Sequence, residues 1–468
     1  MLFNSLDFVI LTFITFIVYY VPFFRRFQIV VLIVSSVVFY SYSHPLLLSL
    51  LLSSIAINAG VSYSMVYKNW NKRFLAVTGV VFNLSIIAFF KYSGMLSRTF
   101  GVENTEIGAF LVSLPLPLGI SFFTFEGISL VVDTYKGRDI GEYKSIIVSS
   151  LYRHLGNTVL FVSFFPHLIA GPILKAREFY PQIGPKGFLS IQWDTAFKQL
   201  VLGYFLKMVI ADNLKDQTFW IAYPYFLHIS SETLAMMLFG YSIQIFADFA
   251  GYSLIALGLA TLFGYELKGN FDHPYISTSF SEFWRRWHMS LSSFLREYLY
   301  IPLGGNRKGK GRTYLKLFIT MFLGGLWHGA AWSYAIWGMT HGVFLALERL
   351  VNDHFTIRVG KGLRILKWVM VFSLVTIAWL LFKLPNISHA VAYLTCMATN
   401  MDLDADIKRN CLIFVYAIPI FLYSLQEIYK ETYLIAKLKK AEWMAYGAMI
   451  FLLITNSGSS TDFIYFQF

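Results

Sequence analysis

The chain has 468 residues, 57% hydrophobic and only 14% charged, with a formal net charge of +12. Soluble domains carry about 25% charged residues, so this composition excludes an ordinary soluble globule and defines a polytopic membrane protein. The positive balance, 38 basic against 26 acidic residues, is read as short loops held on the cytoplasmic face, not as a nucleic-acid footprint.

A membrane-crossing helix needs about 20 apolar residues. The first run, 6–24, has no basic residue before it and no small-residue cleavage site after it, so it reads as a retained span and not a signal peptide. Further spans are expected near 28–44, 46–66, 74–96 and 110–132. Their connections alternate between basic (Arg25 with Arg26, 68–73, 136–144) and weakly charged (43–45, 98–108). Placing the basic loops in the cytoplasm puts the N-terminus outside.

The middle, 146–300, is less regular. Leu168-Ile-Ala-Gly-Pro172 precedes a semi-polar patch with Lys175, Arg177, Glu178 and Lys186. Apolar stretches follow at 196–211 and 233–263. A Pro-, Ser- and aromatic-rich stretch, 270–281, leads into a basic amphipathic segment, 283–300. Irregular backbone at membrane depth persists only where protein or a water-filled cavity surrounds it, so re-entrant or interfacial helices beneath a funnel are expected here. Beyond the basic loop 307–312, spans are expected at 316–331, 334–350 and 368–384. A polar loop, 386–409, then separates them from spans 411–426 and 442–457, which puts the C-terminus outside. Cys396 and Cys411 define no disulfide framework and no metal site, although both fall near the external face, where a pairing stays open. No internal repeat and no long polar linker divides the chain, so one integrated domain, 1–468, is expected.

Two histidines stand out, in Phe283-Trp-Arg-Arg-Trp-His288-Met-Ser and Gly324-Gly-Leu-Trp-His328-Gly-Ala. An ionisable side chain inside the membrane is a functional-site candidate, and imidazole suits proton transfer near neutral pH. His328 lies twelve residues past Lys316, about 18 Å along a helix and near the bilayer centre. Position alone leaves two readings of His328 open, a catalytic group or a histidine hydrogen-bonded across two helices. The segment around His288, with Arg285, Arg286, Arg296 and Glu297, reads equally as a plain interfacial helix. His341 and Asp248 are further buried ionisable residues. His341 lines the same cavity or simply packs, and Asp248 is placed to orient a histidine or to pair with an arginine. No Gly-rich phosphate loop, zinc-ligand spacing or nucleophile elbow occurs, which argues against an ATP-driven pump, a metalloprotease and a serine hydrolase. A lone deep histidine then acts as general base on a hydroxyl or carries an acyl group itself.

Residues from about 115 to 350 resemble the bacterial membrane-bound O-acyltransferases of the alginate O-acetylation type. The stretches that carry the resemblance are Leu116-Pro-Leu-Gly-Ile-Ser-Phe-Phe-Thr-Phe125, Phe164-Phe-Pro-His-Leu-Ile-Ala-Gly-Pro172, Val209-Ile-Ala-Asp-Asn213 and Ile245-Phe-Ala-Asp-Phe-Ala-Gly-Tyr-Ser253. Denser still are Ser281-Glu-Phe-Trp-Arg-Arg-Trp-His288, Tyr298-Leu-Tyr-Ile-Pro-Leu-Gly-Gly-Asn-Arg307 and Leu323-Gly-Gly-Leu-Trp-His-Gly-Ala330. The resemblance implies an all-α polytopic fold of roughly 10–12 membrane helices, with re-entrant or interfacial helices around a central funnel or tunnel. N-terminal helices (1–110) would precede the motif-bearing core (115–350), and C-terminal helices with an external tail (360–468) would follow it. His328 becomes the essential histidine and His288 the second signature residue, with Asp248, Trp327 and His341 in support. Many relatives carry an acidic residue where this chain has Leu254, which leaves Asp248 as that motif's only carboxylate.

The tail, Phe463-Ile-Tyr465-Phe-Gln-Phe468, is similar to the Phe-x-Tyr-x-x-Phe ending of a small partner in teichoic-acid alanylation systems. That likeness implies a relay in which Tyr465 briefly carries the acyl group as an ester; an aromatic anchor at the membrane interface is the plainer reading. The implied activity is transfer of an acyl group, most simply acetyl, to an extracytoplasmic polysaccharide across a bacterial inner membrane. The donor would be acetyl-CoA or an acyl-carrier protein, met by Arg285, Arg286, Arg307 and Lys308 on a basic cytoplasmic funnel. No resident cofactor or metal is expected. Partners would be membrane lipid and an external SGNH-hydrolase-like acetyltransferase, with no nucleic acid. The alternative is a transporter or lipid flippase with an intramembrane histidine proton relay, but the paired pseudo-symmetric halves this predicts are not visible in the sequence.

Overall fold

The computed structural model describes residues 1–42, 45–137, 146–169, 171–307, 309–355, 360–429 and 442–459. It is helical throughout, and no strand occurs among the described residues. The N-terminal helices are α1 (Leu6–Tyr20), α2 (Gln28–Ser41), α3 (Pro45–Tyr67), α4 (Lys72–Ile87), α5 (Ser93–Thr99), α6 (Glu106–Ser113) and α7 (Ile120–Tyr135). Next come α8 (Leu151–Ser163), α9 (Ala176–Phe179), α10 (Trp193–Tyr204), α11 (Asp212–Thr218) and α12 (Ser231–Leu262). The rest are α13 (Phe280–Arg286), α14 (Met289–Phe294), α15 (Lys310–His328), α16 (Trp332–His354), α17 (Lys361–Ala378), α18 (Leu380–Lys383), α19 (Ile387–Thr399), α20 (Ile407–Ile428) and α21 (Glu442–Thr455).

Among the described residues, six helical stretches are long and apolar enough to cross a membrane: Pro22–Ser41, Pro45–Tyr67, Lys72–Thr99, Ser231–Leu262, Lys361–Lys383 and Ile407–Ile428. Leu6–Tyr20, Ile387–Thr399 and Glu442–Thr455 are shorter apolar helices. The protein is a multi-pass membrane protein.

Three departures from the sequence expectations have local causes. The run 110–132 is broken in two, because Pro115 and Pro117 cannot continue a helix and Gly119 adopts φ +70° as the cap of α7. The stretch 386–409, expected as a polar loop, contains α19: Asn386 caps it by accepting from Ser388 N, and Ala390 and Tyr393 bury one face. The amphipathic segment 283–300 is three short pieces, α13, α14 and a π-helical turn, Leu295–Tyr300.

The chain forms two compact units, Met1–Leu200 with Ser253–Gly269, and Val201–Tyr252 with Asn270–Phe468. In the first, Asn58 of α3 and Asn83 of α4 exchange amide hydrogen bonds of 3.2 and 2.8 Å. Gly127 of α7 presses on that pair, and a Cβ there would stand 2.4 Å from the Asn58 amide nitrogen. One residue earlier, Glu126 meets His167 at 2.8 Å, both fully buried. The second unit holds every described residue of the expected site.

Candidate active site

α15 and α16 touch backbone to backbone. A Cβ on Gly325 would stand 2.2 Å from the Tyr334 carbonyl oxygen, and one on Gly338 would stand 2.2 Å from the Met321 carbonyl oxygen. Small residues permit this approach. It sets His328, the last residue of α15, against α16: its ring centroid lies 5.2 Å from that of Trp337 and 5.1 Å from that of Phe382 on α18. The helix begins at Lys310, six residues earlier than the basic loop suggested, so His328 stands about 27 Å along its own helix.

His288 enters from the junction of α13 and α14. Its backbone is left-handed, φ +42° and ψ +55°, a conformation costing a non-glycine residue about 1–2 kcal/mol. One stretch of chain, 270–272, holds it there from both flanks. Asn270 accepts from Met289 N at 2.9 Å and from Ser290 Oγ at 2.6 Å. Arg286 donates to the Asp272 carbonyl at 3.0 Å and to its carboxylate at 3.2 Å. The imidazole is 0% exposed, packed edge-on to Phe249 at 4.6 Å, with Trp327 at 5.7 Å and His328 at 6.1 Å between centroids. Neither of its ring nitrogens has a hydrogen-bond partner among the described residues. An unbonded buried polar atom costs about 1–3 kcal/mol, so such a ring calls for a partner: a water, an ion or a reacting group.

His341 lies on the same face of α16 as Trp337, one turn on, with ring centroids 4.7 Å apart. Trp284 of α13 donates from Nε1 to His341 Nδ1 at 3.3 Å. α13 is fastened to α16 a second time, because the Glu348 carboxylate accepts from Phe280 N, Ser281 N and Ser281 Oγ. Ser279 and Glu282 complete the cap: Ser279 Oγ accepts from Glu282 N at 3.1 Å, and Glu282 accepts from Thr278 N at 2.9 Å.

Of the residues singled out in the sequence, His288, Trp327, His328 and His341 come together. Asp248 pairs with Lys207 at 2.8 Å, and Lys207 also meets Asp212 at 2.7 Å. Gly251 brings α12 onto this segment, since a Cβ there would stand 2.9 Å from Lys207 N. Arg285 and Arg307 are exposed, while Arg286 is half-buried in its bonds to Asp272 and Glu282. Lys308 and Tyr465 lie outside the described residues. Cys396 and Cys411 are free. Among the described residues no group of three His, Cys, Asp or Glu is placed to hold a metal ion. In the loop before α13, burial holds His273 below its ordinary range, against the raising effect of nearby Glu427. Trp284 lies inside the motif stretch from Ser281 to His288, whereas Trp337, Phe382 and Glu348 carried no signal beyond helical spacing; only the four-residue interval between Trp337 and His341 pointed to a shared face.

A helical membrane protein that buries an imidazole among aromatic rings, with neither ring nitrogen bonded among the described residues, carries a functional-site candidate within the bilayer. The model of the membrane-bound O-acyltransferase family matches residues 99–388. The chain is 37% identical over 381 residues to the probable alginate O-acetylase AlgI of Pseudomonas aeruginosa, covering 78% of this chain and 69% of that protein. It is 35% identical over 393 residues to the peptidoglycan O-acetyltransferase of Helicobacter pylori, covering 78% and 73%. It is 32% identical over 248 residues to the teichoic acid D-alanyltransferase of Streptococcus thermophilus, covering 49% and 56%. The chain belongs to the membrane-bound O-acyltransferase family, and it is an enzyme of that class.

Proposed function

We propose that this enzyme takes an acyl group, most simply acetyl, from a cytoplasmic thioester and passes it across the inner membrane for O-acetylation of an extracytoplasmic polysaccharide. The observation that carries the reading is His288, fully buried with both ring nitrogens unbonded among the described residues and 6.1 Å from His328. His328 is the general base. It takes the proton of an acceptor hydroxyl, whose oxygen attacks the thioester carbonyl; the carbon–sulfur bond breaks and the thiolate leaves with a proton from the imidazolium. His288 binds and orients the reacting groups from the opposite side, and Trp327 walls them from lipid. Asp248 supports the site through Lys207.

Arg285, Arg307 and Lys308 meet the phosphates of acetyl-CoA or the acidic face of an acyl-carrier protein. Arg286 adds charge to that side while bonded to Asp272. Tyr465 is the first acceptor, with both chain termini on the external side, and an SGNH-hydrolase-like partner takes the group onward. Alginate and peptidoglycan, the polymers in the relatives' names, support a polysaccharide as the final acceptor.

The test is intact mass spectrometry of the full chain after incubation with labelled acetyl-CoA. A C-terminal adduct that His328→Ala and Tyr465→Phe both abolish is expected. An adduct that survives His328→Ala overturns the general-base reading, and one that survives Tyr465→Phe moves the first acceptor elsewhere.

A further inference from the structure

Ser333, Trp337 and His341 stand at four-residue intervals on one face of α16. All three are 0% exposed. Each presents a polar atom with no hydrogen-bond partner among the described residues: Ser333 Oγ, Trp337 Nε1 and His341 Nε2. Native interiors leave few such atoms, and three on one helix face beside a catalytic candidate are placed for contact with a reacting group.

The chemistry of two of them is fixed. Indole Nε1 is a donor only. His341 Nδ1 accepts the Trp284 N–H at 3.3 Å, so the neutral ring carries its proton on Nε2 and offers a second donor. The Trp337 ring stands between the two imidazoles, 5.2 Å from that of His328 and 4.7 Å from that of His341. Two buried donors one turn apart, next to a base, suit an oxygen that gains negative charge during reaction.

We propose that Trp337 Nε1–H and His341 Nε2–H form the oxyanion-stabilising pair of this enzyme, a role that presupposes the acyl-transfer reading above. As the hydroxyl oxygen adds to the thioester carbon, the carbonyl π electrons move onto oxygen and the two donors hold it. When the carbonyl re-forms, the carbon–sulfur bond breaks and the thiolate takes its proton from His328. Trp284 is a positioning residue, because its hydrogen bond selects the tautomer of His341. Glu348 fixes Trp284 in turn, by anchoring the first turn of α13 to α16.

The experiment measures single-turnover thiol release from acetyl-CoA, and in parallel from acetyl-loaded acyl-carrier protein, as the full chain in lipid nanodiscs acylates its own Tyr465; kcat here is the rate at saturating thioester and KM the thioester concentration at half that rate. Trp337→Phe keeps a ring and removes the donor; His341→Ala removes the donor, and His341→Gln restores an N–H. Trp337→Phe and His341→Ala are each expected to lower kcat about 100-fold, with KM for the thioester changed less than about threefold. His341→Gln is expected to recover about tenfold over His341→Ala. Trp284→Phe is expected to lower kcat in the same way but by less than His341→Ala.

Should Trp337→Phe misfold on a melting curve, the His341→Gln and His341→Ala pair decides the matter. If both donor variants keep kcat within threefold while His328→Ala abolishes turnover, the oxyanion assignment is wrong and the base reading stands. A change confined to KM also overturns it, since it makes the pair a ground-state contact. If His328→Ala turns over at the wild-type rate, the general-base reading fails; if the wild type turns over neither thioester, the acyl-transfer reading itself fails.

Discussion

Gly325 and Gly338 face each other so closely that a Cβ on either would stand 3.0 Å from the Cα of the other. Each lies three residues before a site histidine, His328 or His341, so this one contact sets both rings on their shared ground. Gly338→Ala drives its methyl into the Met321 carbonyl, 2.2 Å away, and backbone cannot swing aside as a side chain does. The expected cost is about 1–3 kcal/mol of stability, together with loss of acyl transfer. Thermal unfolding in nanodiscs beside an activity assay checks it, and an alanine variant with wild-type values on both rules the contact out as a determinant.

The left-handed backbone of His288 separates conformation from chemistry. Glycine adopts φ +42° at no steric cost, whereas alanine bears about 1–2 kcal/mol of strain. His288→Gly is therefore expected to unfold at a higher temperature than His288→Ala, although both lack the ring and both lose activity. Equal melting temperatures count against strain at this position.

Lys207 joins two buried carboxylates, Asp212 and Asp248. Lys207→Met leaves both carboxylates without their shared cation, and breaking a buried pair in this way costs about 3–5 kcal/mol. Asp248→Asn leaves the Lys207–Asp212 pair intact and is expected to cost less. Comparison of the two melting curves tests the order, and the reverse order would show that the triad is not held together by Lys207.

His273 gives a pH signature. Burial lowers its folded-state affinity for a proton, while the unfolded chain takes one up near pH 6.5. The unfolded state thus binds more protons, and stability falls as pH drops below about 6.5. Glu427 and Asp272 oppose the shift and Arg286 adds to it. Between pH 7.5 and 5.5, His273→Asn, which tolerates the same left-handed backbone, is expected to lose less melting temperature than the wild type. An identical pH dependence in both proteins assigns the effect elsewhere.

The membrane class, the helical character and the neighbourhood of His288 and His328 were legible in the sequence by itself. Long apolar runs are sums over adjacent residues, and the stretch from Ser281 to His288 carries its chemistry in consecutive positions. The breaks at Pro115, Pro117 and Gly119 are equally local, although the apolar run 110–132 continues across them. Tertiary structure alone decided the partners. Asp248, expected to meet a histidine or an arginine, meets Lys207, 41 positions earlier, because Gly251 lets α12 close onto that segment. Trp284 reaches His341, 57 residues on, because Glu348 caps α13. Such pairings depend on where two backbones come into contact, and no window along the chain contains both sides of that contact.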